Sequence, residues 1–246
     1  MEKIKFSIRR YWNWRSQTYG HDADKSPDVA DRWASALRQL VSEAPGSRAL
    51  DIGTGTGQCA AYLARSGFDV TGIDLSEEMV ARAGAHARQY RLPIRFQTGD
   101  AEAPDFPDST FDVVVARNLL WTLPRPERAL REWRRILRPD GILVVSDGFW
   151  MNTTWRRAYR LAFNAFRRMF GKGNGVSVRF FCTYVGLQRD LPFYEGICAE
   201  DACELLRAAR FREIRIRDAA WFGLNPYGKA DQQNGGPPFF IATARG

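Results

Sequence analysis

The sequence predicts a doubly wound α/β sheet. Three observations carry that expectation. Short apolar runs alternate with amphipathic helical stretches from residue 48 to 147. The first run leads straight into a glycine-rich turn that opens a helix. Acidic residues close the second and third runs. Such alternation implies parallel strands joined by helical crossovers, with helices on both faces.

The elements follow in order. Residues 1–25 are aromatic and basic, with Tyr11, Trp12, Trp14 and Tyr19. Residues 28–43 carry a helical period that puts Val29, Trp33, Ala36, Leu37 and Leu40 on one face, and Pro45-Gly46 ends it. RALDIG (48–53) reads as a buried strand, and the turn after it opens a helix that stops at Gly67. DVTGID (69–74) is a second strand. Ser76 is the expected N-cap of a helix with acidic residues in its first turn. IRFQTGD (94–100) and FDVVVAR (111–117) are strands, residues 126–139 an amphipathic helix ended by Pro139-Asp140-Gly141, and GILVVSD (141–147) the fifth strand. The alternation fails after Asp147 and resumes with a helix over 201–211 and strands over 212–218 and 239–245. The last two strands are expected to pair antiparallel, because no helical pattern joins them. The total is a mostly parallel seven-stranded sheet with an antiparallel last strand.

Composition narrows the function classes. Hydrophobic residues are 45% and charged residues 26%, which supports a substantial core. The net charge of +8 favours anionic partners without naming one. The four cysteines, Cys59, Cys182, Cys198 and Cys203, form no C-x-x-C pair, and two histidines are too few for a Cys/His zinc site. No metal is expected. With no continuous apolar stretch for a signal peptide or spanning helix, a cytoplasmic protein with reduced thiols is the expectation.

The chemistry is concentrated in Asp51, Gly53, Gly55 and Gly57. Glycines there permit a tight turn and close approach of a ligand to the backbone. Dinucleotide and phosphate loops look alike, but no Lys-Ser/Thr pair follows, so a phosphate loop is disfavoured. Asp74 sits where a carboxylate reaches a ribose hydroxyl pair, and Asp100, followed by Ala101 and Glu102, closes the third strand on the same sheet edge.

Taken as an ordered set, LDIGTGTG, GIDLSEEM, the stretch from Gly99 through Gly141, and ILVVSD resemble the class I S-adenosylmethionine-dependent methyltransferases of the small-molecule type. The resemblance implies a Rossmann-like core, S-adenosyl-L-methionine as cofactor and S-adenosyl-L-homocysteine as product. By it, Asp51, Gly53, Gly55 and Gly57 form the cofactor loop. Asp74 holds the ribose, Leu75 and Met79 flank the adenine, and Asp100 accepts from its amino group beside Ala101 and Glu102. Arg117 faces cofactor and substrate opening, with Asn118 and Trp121 nearby. The N-terminal helix covers the cofactor, with Tyr11, Arg15 and Tyr19 on one face at i, i+4, i+8. Two positions depart from relatives: Arg210 and Asp140 stand where glycine is common.

The expected division is 1–45 as N-terminal helices over the cofactor, 46–148 as the binding core, 149–196 as an aromatic and basic cap, and 197–246 as the completion of the sheet. The acceptor is expected to be a small molecule, aromatic or anionic, met by Arg156, Arg160, Phe181 and Tyr184 of the cap. His21 is a candidate general base, although an exposed surface histidine has the same sequence signature. Residues 155–172 form a basic amphipathic run that suits a closing cap, an anionic membrane surface or a phosphate backbone.

Four rivals remain. Nucleic-acid methylation is disfavoured: the segment after the fourth strand reads ARNLLWTLP, the Asn225-Pro226-Tyr227 turn lies far downstream, and no Pro-Cys dipeptide occurs. A lipid or quinone methyltransferase on a membrane face suits the basic run. A non-catalytic cofactor-binding protein shares the fold. A dinucleotide oxidoreductase fits the glycines but not Asp100. The sequence is silent on the acceptor atom and the oligomeric state.

Overall fold

The structure, a computed structural model, describes residues 1–20, 27–148, 179, 183–184, 186–224 and 239–246. Two helices, α1 (Glu2–Ser16) and α2 (Pro27–Leu40), precede the sheet. Then follow β1 (Arg48–Ile52), α3 (Gln58–Arg65), β2 (Asp69–Asp74), α4 (Glu77–Gln89), β3 (Arg95–Thr98) and β4 (Phe111–Arg117). After β4 come α5 (Pro126–Ile136), β5 (Leu137–Gly148), α6 (Ala199–Ala208), β6 (Arg212–Asp218) and β7 (Phe239–Arg245). The strand order is β3-β2-β1-β4-β5-β7-β6. The first five strands are parallel, and β7 runs antiparallel to both neighbours.

Strand side chains alternate between two cores, as a period of two demands. Val113 and Val115 of β4, Ile142 and Val144 of β5, and Phe239 and Ile241 of β7 face α2 and α3, meeting Trp33, Leu37 and Leu63. Val114 and Ala116, Leu143 and Val145, and Phe240 and Ala242 face α5 and α6, meeting Leu130, Trp133 and Leu206. Both faces are covered, which is why these runs are continuously apolar rather than alternating. Each buried aliphatic side chain contributes about 1.5–3 kcal/mol. The strands of the outer edges, β3 and β6, are exposed along most of their length.

Local signals set most ends. The Ser76 hydroxyl accepts from the Met79 amide and caps α4. The end of α5 differs from expectation. The helix stops at Ile136, and Leu137 already pairs with Phe111, so β5 starts four residues before Gly141. The Pro139 ring disfavours helical geometry before it. The register of β5 on β4 then shifts, and Asp140 sits at φ 61 within the irregularity. The helix face expected through Tyr19 is also corrected. α1 ends at Ser16, and Tyr19 follows in a turn that bonds back to Ser16.

The end of α6 explains Arg210. The Phe211 amide donates to the Leu206 carbonyl and the Arg210 amide to that of Arg207, the hydrogen-bond pair of a glycine-type helix stop. Arg210 fills its left-handed position at φ 64. Phe211 and Leu206 share the core beneath.

A left-handed residue with a Cβ costs about 1–2 kcal/mol, so Arg210→Gly is expected to stabilise the protein by about 1 kcal/mol after the extra chain entropy of glycine. Urea denaturation reads this directly. A midpoint at or below that of the wild type would rule it out.

Candidate functional site

The carboxyl ends of β1, β2 and β4 open onto one cavity of about 330 Å³. Its floor is the turn after β1. Asp51, at the end of that strand, is buried and turns inward. Its Oδ2 accepts from the Thr54 hydroxyl at 2.6 Å and from the Ala60 amide at 2.9 Å. These bonds fix both the turn and the first coil of α3. Asp74, at the end of β2, reaches across. Its Oδ2 accepts from the Gly55 amide and its Oδ1 from the Ser76 amide, both at 2.9 Å.

Gly55 has φ 55, and a Cβ there would meet nothing within 4 Å. Its α-carbon thus faces open cavity. Gly57 has φ 84, and a Cβ there would stand 3.1 Å from Ala83 and from the Phe96 ring. The first glycine leaves room for a ligand, and the second lets α3 sit close to its neighbours.

Burial makes the two acids unusual. Loss of water around Asp51 pushes its carboxyl from 3.8 up to about 7. The Thr54 and Ala60 bonds oppose the shift, the Asp74 charge adds to it, and Arg117 opposes it. Burial also raises Asp74, against the bonds from Ser76, Gly55 and Leu75.

Leu75, Met79 and Ala101 supply an apolar side to the cavity, beside Asp100. The loop carrying Asp100 is strongly held. The Trp133 indole donates to the Ala101 carbonyl at 2.8 Å. Glu102 lies off the cavity wall and is fully buried. It accepts from the Arg125 amide at 2.6 Å and from the Arg125 guanidinium at 3.0 and 3.2 Å. Its backbone carbonyl accepts from Arg128.

The roof is α1. Lys5, Ile8, Trp12 and Arg15 line the cavity, a stripe at i, i+3, i+7, i+10 on one helix face. Tyr19 lines it from the turn beyond, edge-on to the Trp12 ring and beneath the Arg15 guanidinium. Tyr11 belongs to the neighbouring stripe. It is 4% exposed and packs edge-on against Tyr184 at 5.2 Å, behind the wall. Tyr184 is likewise buried there, tilted on Trp121 at 5.4 Å, and only Trp121 reaches the cavity. Arg117 stacks over the Trp33 ring at 4.1 Å and donates to Gln58 at 3.1 Å. With Asn118, it borders both the main cavity and a small polar recess of about 50 Å³ beside Asp51, Thr54 and Gln58. His21, Arg156, Arg160 and Phe181 lie outside the described residues, as do most of 149–196 and the basic run within it.

Lys5, Gln58 and Trp12 were absent from the expected site. The sequence carries the helical stripe through 5, 8, 12 and 15, whereas its aromatic spacing points to 11, 15 and 19. Gln58 had no signal beyond its place after the last glycine.

The Asp51 shift has a thermodynamic consequence. The fold binds the Asp51 proton more tightly than the unfolded chain does. Stability from this group is therefore complete below the ordinary value of 3.8 and is lost as pH rises towards about 7. Asp51→Asn keeps an oxygen to accept both bonds and cannot ionise. Wild type is expected to lose stability relative to Asp51→Asn over that window, by up to about 1.4 kcal/mol per pH unit. Denaturant titrations at several pH values measure the difference, and a flat one would contradict the assignment.

Comparison with known proteins agrees with this geometry. Residues 50–145 match the family model described as a methyltransferase domain. Phosphatidylethanolamine N-methyltransferase of Cereibacter sphaeroides is 42% identical over 108 residues, 43% of this chain and 53% of that protein. Demethylmenaquinone methyltransferase of Renibacterium salmoninarum is 36% identical over 116 residues, 47% of each chain. The chain spans about half the length of these curated relatives. Among solved structures, the cyclase SpnF superposes with a TM-score of 0.60 at 26% identity, covering 87% of this chain and 80% of its own. A methyltransferase from Aquifex aeolicus gives 0.57 at 18% identity, covering 86% and 88%, a likeness of fold. Across residues 50–145, the chain is thus similar to a methyltransferase domain.

Proposed function

We propose that the protein transfers a methyl group from S-adenosylmethionine to a small-molecule acceptor. The observation that carries this reading is the cradle in which Gly55 opens onto the cavity while Asp74 anchors the same turn. The residues suit the cofactor. An ionised carboxylate has about four acceptor positions, and Asp74, which meets the Gly55, Ser76 and Leu75 amides, keeps acceptor capacity for a ribose hydroxyl. Leu75, Met79 and Ala101 offer an apolar slot for a purine, and Asp100 an acceptor for its amino group. Arg15, Arg117 and Tyr19 supply donors near the glycine turn for an amino-acid carboxylate.

The bound cofactor supplies a methyl group already activated on a sulfonium. The chain's own task is then alignment and exclusion of water. α1 covers the cavity, and Trp12, Trp121 and Leu119 give its wall an apolar surface against which an acceptor can be oriented. Asp51 is committed to the turn through Thr54 and Ala60, so it braces rather than abstracts. His21 remains the candidate base for acceptors that must lose a proton.

The names of the relatives support two acceptor classes, the amine of a phospholipid head group and a quinone ring. No helix among the described residues is long and apolar enough to cross a membrane. A second reading rests on SpnF. A cyclase shares this architecture at 26% identity, so cofactor binding without methyl transfer is the alternative.

Calorimetry with S-adenosylmethionine and S-adenosylhomocysteine, beside NAD and NADP, tests the cofactor. Micromolar binding of the first pair is expected. Asp74→Asn, which keeps the shape but loses the charge-assisted bonds, is expected to bind roughly 100-fold more weakly. Preference for a nicotinamide cofactor would overturn the reading. Transfer of labelled methyl to phosphatidylethanolamine or a reduced demethylquinone separates the acceptor classes. Tight binding with no transfer to any acceptor would favour the second reading.

A further inference from the structure

We propose that Lys5 is a positioning residue that latches α1 across the cavity, so that ligand release requires its ion pairs to break. The Lys5 ammonium lies 2.6 Å from Asp100 Oδ2 and 2.6 Å from Glu102 Oε2. Lys5 is 17% exposed, and the Glu102 carboxylate is fully buried. Ion pairs this short and this shielded are screened by salt far less than surface pairs.

Their position gives them a mechanical role. The C-terminal half of α1 is tied to α4. Asn13 donates to Glu77 at 2.9 Å and accepts from Ser76 at 2.6 Å, and Arg82 donates to the Ser16 carbonyl. The middle rests on the aromatic cluster through Ile8 and Tyr11. Lys5 ties the N-terminal half, and it does so to the loop after β3, on another side of the cavity. α1 therefore spans the opening, held at both ends. At the N-terminal end Ile4 packs on the same aromatic cluster, and among the described residues Lys5 supplies the ion pairs there.

The same contact orients the acid proposed to read the adenine. Asp100 Oδ1 accepts from the Glu102 amide at 3.0 Å and Oδ2 from Lys5. The carboxylate plane is fixed by two donors, and lone pairs remain for a ligand amine. Closure of the roof and alignment of Asp100 are thus one event. Loss of Lys5 leaves Glu102 paired with Arg125, so the loop keeps its main support and the fold survives the test.

The inference rests on the cofactor reading for its ligand, and the experiment separates the two. Lys5→Met keeps the stem without the charge, and Lys5→Arg keeps the charge. Hydrogen exchange of the α1 amides is measured in ligand-free protein, and release of S-adenosylhomocysteine by stopped flow. In Lys5→Met, exchange in the N-terminal half of α1 is expected to rise roughly tenfold while the half around Asn13 is unchanged. Release of S-adenosylhomocysteine is expected to quicken roughly tenfold, with Lys5→Arg close to wild type in both. Unchanged α1 exchange in Lys5→Met overturns the latch, and faster exchange with unchanged release overturns its control of the ligand. If wild type binds no S-adenosylhomocysteine, the cofactor reading falls, and the exchange result still decides whether Lys5 holds the helix.

Discussion

Two carboxylates at adjacent strand ends, Asp51 buried and Asp74 partly buried at the cavity wall, hold the turn on which the site depends. Asp51 accepts from the Thr54 hydroxyl and the Ala60 amide, and Asp74 from the amides of Gly55 and Ser76, with the Leu75 amide beside them. A short acid brings two acceptor oxygens into little space. A turn with glycines at positive φ would otherwise sample many shapes. The acids hold one shape, which keeps the Gly55 α-carbon open to the cavity. The cost is visible in the carboxyls themselves, both raised by loss of water. Burial of charge without full compensation works against the fold, and here it is confined to the floor of the cavity. Sites that bind are where such strain is retained.

The parts of the fold legible in the sequence are those whose signal is local. β2 and β4 begin and end where their apolar runs do, because both faces of the sheet are covered and the runs are unbroken. Ser76 was legible as a cap because a hydroxyl before an acidic first turn has one good use. Errors arose where a tertiary contact overrode a local pattern. Residues 137–140 look like a helix tail, yet Leu137 finds a strand partner in Phe111. Tyr19 continues the spacing of Tyr11 and Arg15 on paper, but the helix has already stopped.

The site divides in the same way. Its floor was legible because glycine, Asp74 and Asp100 occur at strand ends, and strand ends share an edge. Its roof was only partly so. Lys5 lies 95 residues from Asp100, and no local pattern around either announces the pair. Tyr11 and Tyr184 looked like ligand contacts because aromatics suit pockets. They instead pack on each other and hold α1 in place from behind. An aromatic residue on an amphipathic helix can serve either wall, and only the angle of the helix decides which.

The charges around the cavity also explain how one floor can serve different reactions. Asp100 and Glu102 are matched by Lys5 and Arg125, so that end is close to neutral and recognises by hydrogen bonds. Arg15 and Arg117 stand nearer the glycine turn, where they favour an anionic group. On the proposed reading, a ligand with a purine at one end and a carboxylate at the other would be held by its ends. Its centre would then face Leu119, Trp12 and Trp121, none of which carries an ionisable group. The floor would set the direction of binding and leave the reacting centre to the apolar wall. A cyclase and a methyltransferase both share this architecture, so the fold by itself does not choose the reaction.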